Sequence, residues 1–422
     1  MPKKLAFVGL IALLCASAAS AQGDFIDSQA LLDADLVKYW QLPLPLQSEQ
    51  ELVAVYLVDD QLYAVVQDGY VYALDAKTGV IRWVKQVTTA GYEIRRPCHH
   101  GRLTIFVLPP TLVQYDRYSG QPIRRGDMRF PSGTPAVSDG VRFYIGGIDQ
   151  KIYAFLPGQD FEVWKARAEG QIISQPALMG ENLFFADDGG NVFSCVAADK
   201  RFQWRSRKIG SVTADLAVDL NGVYAAARDY SLYLLSPEAG HLRWRMRFSG
   251  PLVEPPVITP EIVFQYCRED GVTAINPNAD RESRKMWTVT ETRGFLTLDD
   301  KSAYLLGRDE NIHVVNLDDG KSTHMVPSAG FTMFAPTTET TAMFLAAKDG
   351  KLFCARKRGV PVLLASDVKK AAAGPATASA DDAEDAASAT DAAEADGDVL
   401  TSKRPGPPIG GKSKVTKEYA GE

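Results

Sequence analysis

The chain has six tryptophans, and they fall on a single period. They stand at Trp40, Trp83, Trp164, Trp204, Trp244 and Trp287, so the intervals are 43, 81, 40, 40 and 43 residues. The long interval is two periods, with Arg124 near its middle. A second marker keeps the same step: Pro97, Pro135, Pro176, Pro256 and Pro336, with Leu216 and Leu296 in the gaps. Two independent markers with one period mean an internal repeat, and a repeat array can run long as one unit. The two or three ordinary domains that 422 residues would suggest therefore give way to one array.

Each repeat reads as β-structure. Leu62–Val66 and Tyr70–Leu74 are short aromatic and β-branched runs on either side of Asp68-Gly69, and Asp75 to Gly79 separates them from Val80–Trp83. Asp-Gly is a hairpin signal, because Gly accepts positive φ and Asp bonds its own backbone. Equivalent acidic turns recur around Asp149, Asp188, Asp229, Asp270, Asp309 and Asp349, and a degenerate unit lies around Pro109. With a further strand around each proline position, the unit has four strands. Radial repetition of such units makes a propeller, in which neighbouring blades cover both faces of each sheet. The reading is all-β: an eight-bladed β-propeller of four-stranded antiparallel blades over 22–366, or seven blades if the Pro109 unit is discounted. Leu36–Leu42, carrying Trp40, is expected to supply the outer strand that the last unit lacks, which closes the ring and removes its open edges. Each tryptophan is expected to end an outermost strand and wedge between blades, its indole N–H seeking a backbone acceptor.

The segment Ala73-x-Asp75-x-x-Thr78-Gly79-x-x-x-Trp83 resembles the pyrroloquinoline-quinone (PQQ) repeat. A WD-type repeat would put Asp after the tryptophan, where this chain has Val84, Lys165, Arg205, Arg245 and Thr288. Within PQQ-repeat proteins, the size and blade number are similar to the BamB type, the propeller subunit of the outer-membrane protein assembly machinery. That resemblance implies a non-catalytic scaffold whose partners are envelope or outer-membrane proteins such as a β-barrel insertase, with no cofactor. Other PQQ-repeat proteins are quinone-dependent dehydrogenases, which typically carry adjacent cysteines over the quinone and a calcium site. No Cys-Cys pair occurs here. A propeller that binds glycans or peptides is a third reading.

The N-terminus has the form of an export signal. Lys3 and Lys4 precede an apolar run, Leu5 to Leu14, too short to span a bilayer, and Ala19-Ser20-Ala21 offers a cleavage site before Gln22. Residues 1–21 are thus expected to be a signal peptide and the destination the periplasm or cell envelope, with no transmembrane segment after cleavage. BamB-type proteins are usually lipoproteins, but Cys15 follows Leu14 rather than a small residue and lies in the segment to be removed. Cys98, Cys195, Cys267 and Cys354 each sit in or beside apolar runs and are expected to be buried free thiols. Residues 367–422, Ala/Asp-rich and then basic, have no apolar face and are expected to be disordered. A net charge of −6 offers no basic excess to hold nucleic acid.

Chemistry-bearing constellations are few. His99-His100 is the one histidine pair, and adjacent strand residues point to opposite faces, so joint metal binding is not expected. One charge pattern goes beyond the generic blade. Arg228, Arg268, Arg308 and Lys348 are spaced by 40 residues, each just before an acidic turn; earlier units have Gln67, Ile148 and Asp187 there. Equivalent positions share one propeller face. The four form either a basic arc for an acidic partner or a set of local ion pairs with Asp229, Glu269, Asp309 and Asp349; the local pairs are the expectation. Trp40, Trp83, Trp164, Trp204, Trp244, Trp287, Asp75 and Gly79 are read as structural.

Overall fold

A computed structural model describes residues 23–159 and 161–360. The expected signal peptide, Cys15 and the expected tail lie outside them. The described chain forms eight four-stranded antiparallel sheets, so the count is eight and not seven. Blade 1 is Leu52–Val58, Gln61–Val66, Tyr70–Asp75 and Ile81–Gln86. Blade 2 spans 98–127, blade 3 spans 137–167, blade 4 spans 177–205 and blade 5 spans 217–247. Blade 6 spans 257–289 and blade 7 spans 292–327. Blade 8 takes three strands from 331–357 and its fourth from Leu36–Pro43, which pairs antiparallel with Lys351–Lys357.

The burial pattern follows from the radial arrangement. The second and third strands are apolar along their length and buried on both faces, as Gln61–Val66 and Ser231–Leu235 show. Fourth strands alternate, as in Trp164–Arg167, because only one face meets the next blade. First strands of successive blades touch one another around the centre. A short helix, Ser28–Asp33, capped by the Asp27 carboxylate on Ala30 N–H, precedes the closing strand.

The repeat motif has a physical basis at each position. Asp75 accepts from the backbone N–H groups of Lys77 and Thr78 and from the Thr78 hydroxyl, which fixes the turn between the third and fourth strands. Gly79 closes that turn at φ +70°. Asp116 does the same in blade 2 and Asn316 in blade 7.

Five of the tryptophans lie inside the fourth strands, not at their ends, and Trp164 begins its strand rather than ending it. The register slips by one residue just before Trp83, Trp204, Trp244 and Trp287. Such a bulge re-aims a side chain. The same slip precedes Arg124 in blade 2 and His324 in blade 7. These two residues therefore occupy the tryptophan position in the blades that lack one.

Candidate functional site

Every tryptophan is tied to the blade that follows it. The indole N–H groups of Trp40, Trp83, Trp164, Trp204, Trp244 and Trp287 donate to the carbonyls of Ala76, Arg117, Ala197, Pro237, Pro277 and Leu317, at 2.7–3.2 Å. The turn glycines lie against the same rings. A Cβ on Gly79 would stand 2.6 Å from the Trp40 ring, and one on Gly240 would stand 2.4 Å from Trp204. These side chains hold blades together and are closed to a ligand, each 9% exposed or less.

Arg228, Arg268, Arg308 and Lys348 are all exposed and lie at the turns between second and third strands of blades 5 to 8. The expected local ion pairs do not form. Asp229 accepts from the Tyr233 hydroxyl and pairs with Arg245, while Asp309 takes Asn311 and His313. Asp349 pairs with Lys351, and Glu269 lies 3.4 Å from the Cys267 thiol. The physical reason is reach: side chains of the blade's own third and fourth strands, Tyr233, Asn311, His313 and Lys351 from the third and Arg245 from the fourth, already lie on the turn carboxylates. Among the described residues, none of the four bases has a carboxylate within ion-pair distance. Arg308 instead donates to the Arg268 carbonyl and so bridges blades 7 and 6. In blade 4 the same position is Asp187, fully buried. It accepts from the N–H groups of Glu169 and Gly170 and from Asn191, a tether for the connection between blades.

A polar network that sequence reasoning missed lies at the opposite mouth of the channel, between blades 1 and 2. His99 and His100 sit in the first strand of blade 2, Cys98–His100, and diverge. His100 Nδ1 meets Ser138 Oγ at 2.8 Å. His99 Nδ1 lies 2.8 Å from Asp59, and its Nε2 lies 2.7 Å from the Tyr63 hydroxyl. Tyr63 also meets Thr104 and Gln61. Arg117 pairs with both Asp59 and Asp60. Burial pushes the His99 imidazole below its ordinary value, against the pull of Asp59. Burial pushes Asp59 up, but the hydrogen bond from His99 and the charge of Arg117 outweigh it and hold the carboxyl below its usual range. A neutral His99 thus donates from Nδ1 to Asp59, and its Nε2 and Gln61 Oε1 share the single proton of the Tyr63 hydroxyl. The network borders an open depression of about 790 Å³ that Arg96, Asp139 and Gln175 also line. No sequence signal marked it, because Asp59, Tyr63 and His99 belong to two different repeats. Among the described residues, no group of three or more His, Cys, Asp or Glu side chains could hold a metal ion.

The described cysteines are free and buried, in blades 2, 4, 6 and 8. Among the described residues, no helix is long and apolar enough to cross a membrane.

Against known proteins, residues 110–214 and 190–330 match the PQQ-repeat family described as "Outer membrane protein assembly factor BamB". Together these segments cover more than half of the chain. The chain belongs to this family. Its fold is similar to the crystal structure of BamB from Moraxella catarrhalis, with a TM-score of 0.61, 15% identity, and 77% of this chain and 99% of that one covered. The computationally designed Ika8 protein matches with a TM-score of 0.61 at 12% identity, over 74% and 98% of the two chains. The C-terminal WD40 domain of Sif2 matches with a TM-score of 0.57 at 11% identity, over 77% and 98%. At such identities these three report fold alone. A curated relative, tetrathionate hydrolase from Acidithiobacillus ferrooxidans, is 24% identical over 197 residues, 46% of this chain and 36% of the hydrolase. The chain thus matches little more than a third of that relative's length.

Proposed function

We propose that this BamB-like propeller is a non-catalytic scaffold of the cell envelope that assists outer-membrane protein assembly through protein–protein contacts. The observation that carries the reading is the row of Arg228, Arg268, Arg308 and Lys348. These are four exposed bases on one face of consecutive blades, left without carboxylate partners while their neighbouring acids are engaged elsewhere. Clustered charge of this kind steers an acidic partner and fixes its orientation. Membership of the BamB family supports an envelope location and a β-barrel insertase or its substrates as the partner class.

This reading takes no quinone. The adjacent cysteines of quinone-dependent relatives have no counterpart, since Cys98, Cys195, Cys267 and Cys354 lie in four different blades. A second, catalytic reading has two supports: the partial match to a hydrolase, and the Asp59–His99–Tyr63 chain beside an open depression. Burial argues against it. Tyr63 is wholly buried, and desolvation pushes its phenol well above the ordinary value, so it is neither reachable nor ionised.

The test is capture of purified periplasmic domains of a β-barrel insertase by the propeller and by a variant with all four bases changed to Glu. The expected result is binding that the variant loses while it remains folded and unfolds cooperatively. Undiminished binding by a folded variant, or turnover of tetrathionate by the wild-type protein, would overturn the reading.

A further inference from the structure

The eight junctions between blades are not filled alike. Six take a tryptophan: Trp83, Trp164, Trp204, Trp244, Trp287 and, where blade 8 meets blade 1, Trp40. The junction of blades 7 and 8 has exposed His324 instead. There the N-terminal helix covers the gap. Buried Ile26 and Leu31 join the core formed by Val314 and Val326 of blade 7 with Met343 and Phe353 of blade 8. The junction of blades 2 and 3 has Arg124, which reproduces the indole's hydrogen bond by donating from Nη1 to the Gly158 carbonyl at 2.7 Å. It does not reproduce the indole's volume.

A groove of about 240 Å³ remains there. Its position is that of the absent indole. Trp83 stacks on Tyr115 of blade 2 and shares a buried core with Phe106 and Val113 of that blade. One repeat on, the counterparts are Ile145, Tyr153 and Phe155, and these three line the groove. Phe130 stacks on Tyr153 with ring centroids 3.7 Å apart and forms one wall, and half-buried Met128 stands at the mouth. The rim carries Asp127 and Glu162 beside Arg129 and Lys165. With both signs present, it offers polar anchors but no net attraction. Exposed Phe161 and Val163 flank Glu162 in the adjoining turn.

We infer that this groove is a seat for one large aromatic side chain, a tryptophan above all, presented by a partner polypeptide. Seven of the eight equivalent seats show what covers such a surface: six hold an indole and one holds an apolar helix of polypeptide. The volume suffices, since an apolar cavity of about 150 Å³ accepts a benzene ring. A stacked, well-packed aromatic wall is also the setting in which interface anchors contribute most. The site lies on the outer rim and is independent of the four-base face, so either can fail while the other stands.

The test uses methyl-labelled full-length protein and the tripeptide N-acetyl-Gly-Trp-Gly-amide, with the alanine analogue as control. Saturable shifts of the Met128 and Ile145 methyl resonances are expected with the tryptophan peptide and not with the alanine one. Arg124→Trp refills the seat and is expected to weaken binding at least about tenfold without lowering the Tm. Should that variant fold poorly, Met128→Arg places a long charged chain at the groove from a half-buried position at the edge of the core and, with its folding checked by Tm, is expected to do the same. Absence of shifts in the wild type, or undiminished binding by the folded variant, would overturn the inference. So would shifts produced only by detergent micelles, which would mark a lipid-facing patch.

Discussion

At the residue scale the molecule rests on a partnership between one blade's indole and the next blade's turn. Trp204 is 9% exposed, packs near Phe184, and donates to Pro237. Its replacement by alanine removes a large buried side chain and leaves a cavity, so Trp204→Ala is expected to lower the unfolding free energy by about 3–5 kcal/mol, read by urea denaturation. The tryptophans and the Asp-to-Gly turns were legible in the sequence because each repeats, and repetition is what a single sequence displays. Arg124 was legible as a substitute. His324 was not, because the last repeats carry no later tryptophan to bracket it.

His99 illustrates what a repeat hides. Its two partners, Asp59 and Tyr63, come from the preceding blade, and no spacing rule links them. Burial holds its folded pKa below the 6.5 of a free imidazole. As pH falls the unfolded chain therefore takes up the proton first. The stabilisation by neutral His99 is complete above about pH 6.5 and is lost on acidification below it. His99→Gln is expected to shrink the loss of unfolding free energy between about pH 7 and about pH 5, measured by denaturant titration at each pH. An unchanged slope would mean that His99 does not carry this dependence.

At the scale of elements, ring closure is the feature most exposed to test. Leu36–Pro43 pairs along the whole length of Lys351–Lys357 and carries Trp40 to the junction with blade 1. The sequence shows this because the last unit ends without its outer strand while an unassigned tryptophan strand precedes the first. A chain lacking residues 23–43 is expected to lose cooperative unfolding and to self-associate through the bared edge of Lys351–Lys357, seen by calorimetry and size-exclusion chromatography. The short helix Ser28–Asp33 was not legible, since a six-residue helix shows too little periodicity. Its use, covering the junction at His324, depends on a tertiary gap that only the assembled ring reveals.

At the scale of the whole molecule, the propeller presents two mouths with different chemistry. One carries the turns of Arg228, Arg268, Arg308 and Lys348; the other carries the depression beside Asp59 and His99. Position in the repeat placed the four bases on one face. The local pairing expected of them failed because pairing depends on which side chains the third and fourth strands return to the turn, as Lys351 and Arg245 do. Family membership favours a protein partner, and the unpaired bases favour the first mouth. Hydrogen–deuterium exchange of the full chain with and without the periplasmic domains of a β-barrel insertase tests this most directly. Protection confined to the turns around Arg228, Arg268, Arg308 and Lys348 is the result the account predicts. Protection of the Asp59–His99 mouth alone, or no protection under conditions of saturating binding, would contradict it.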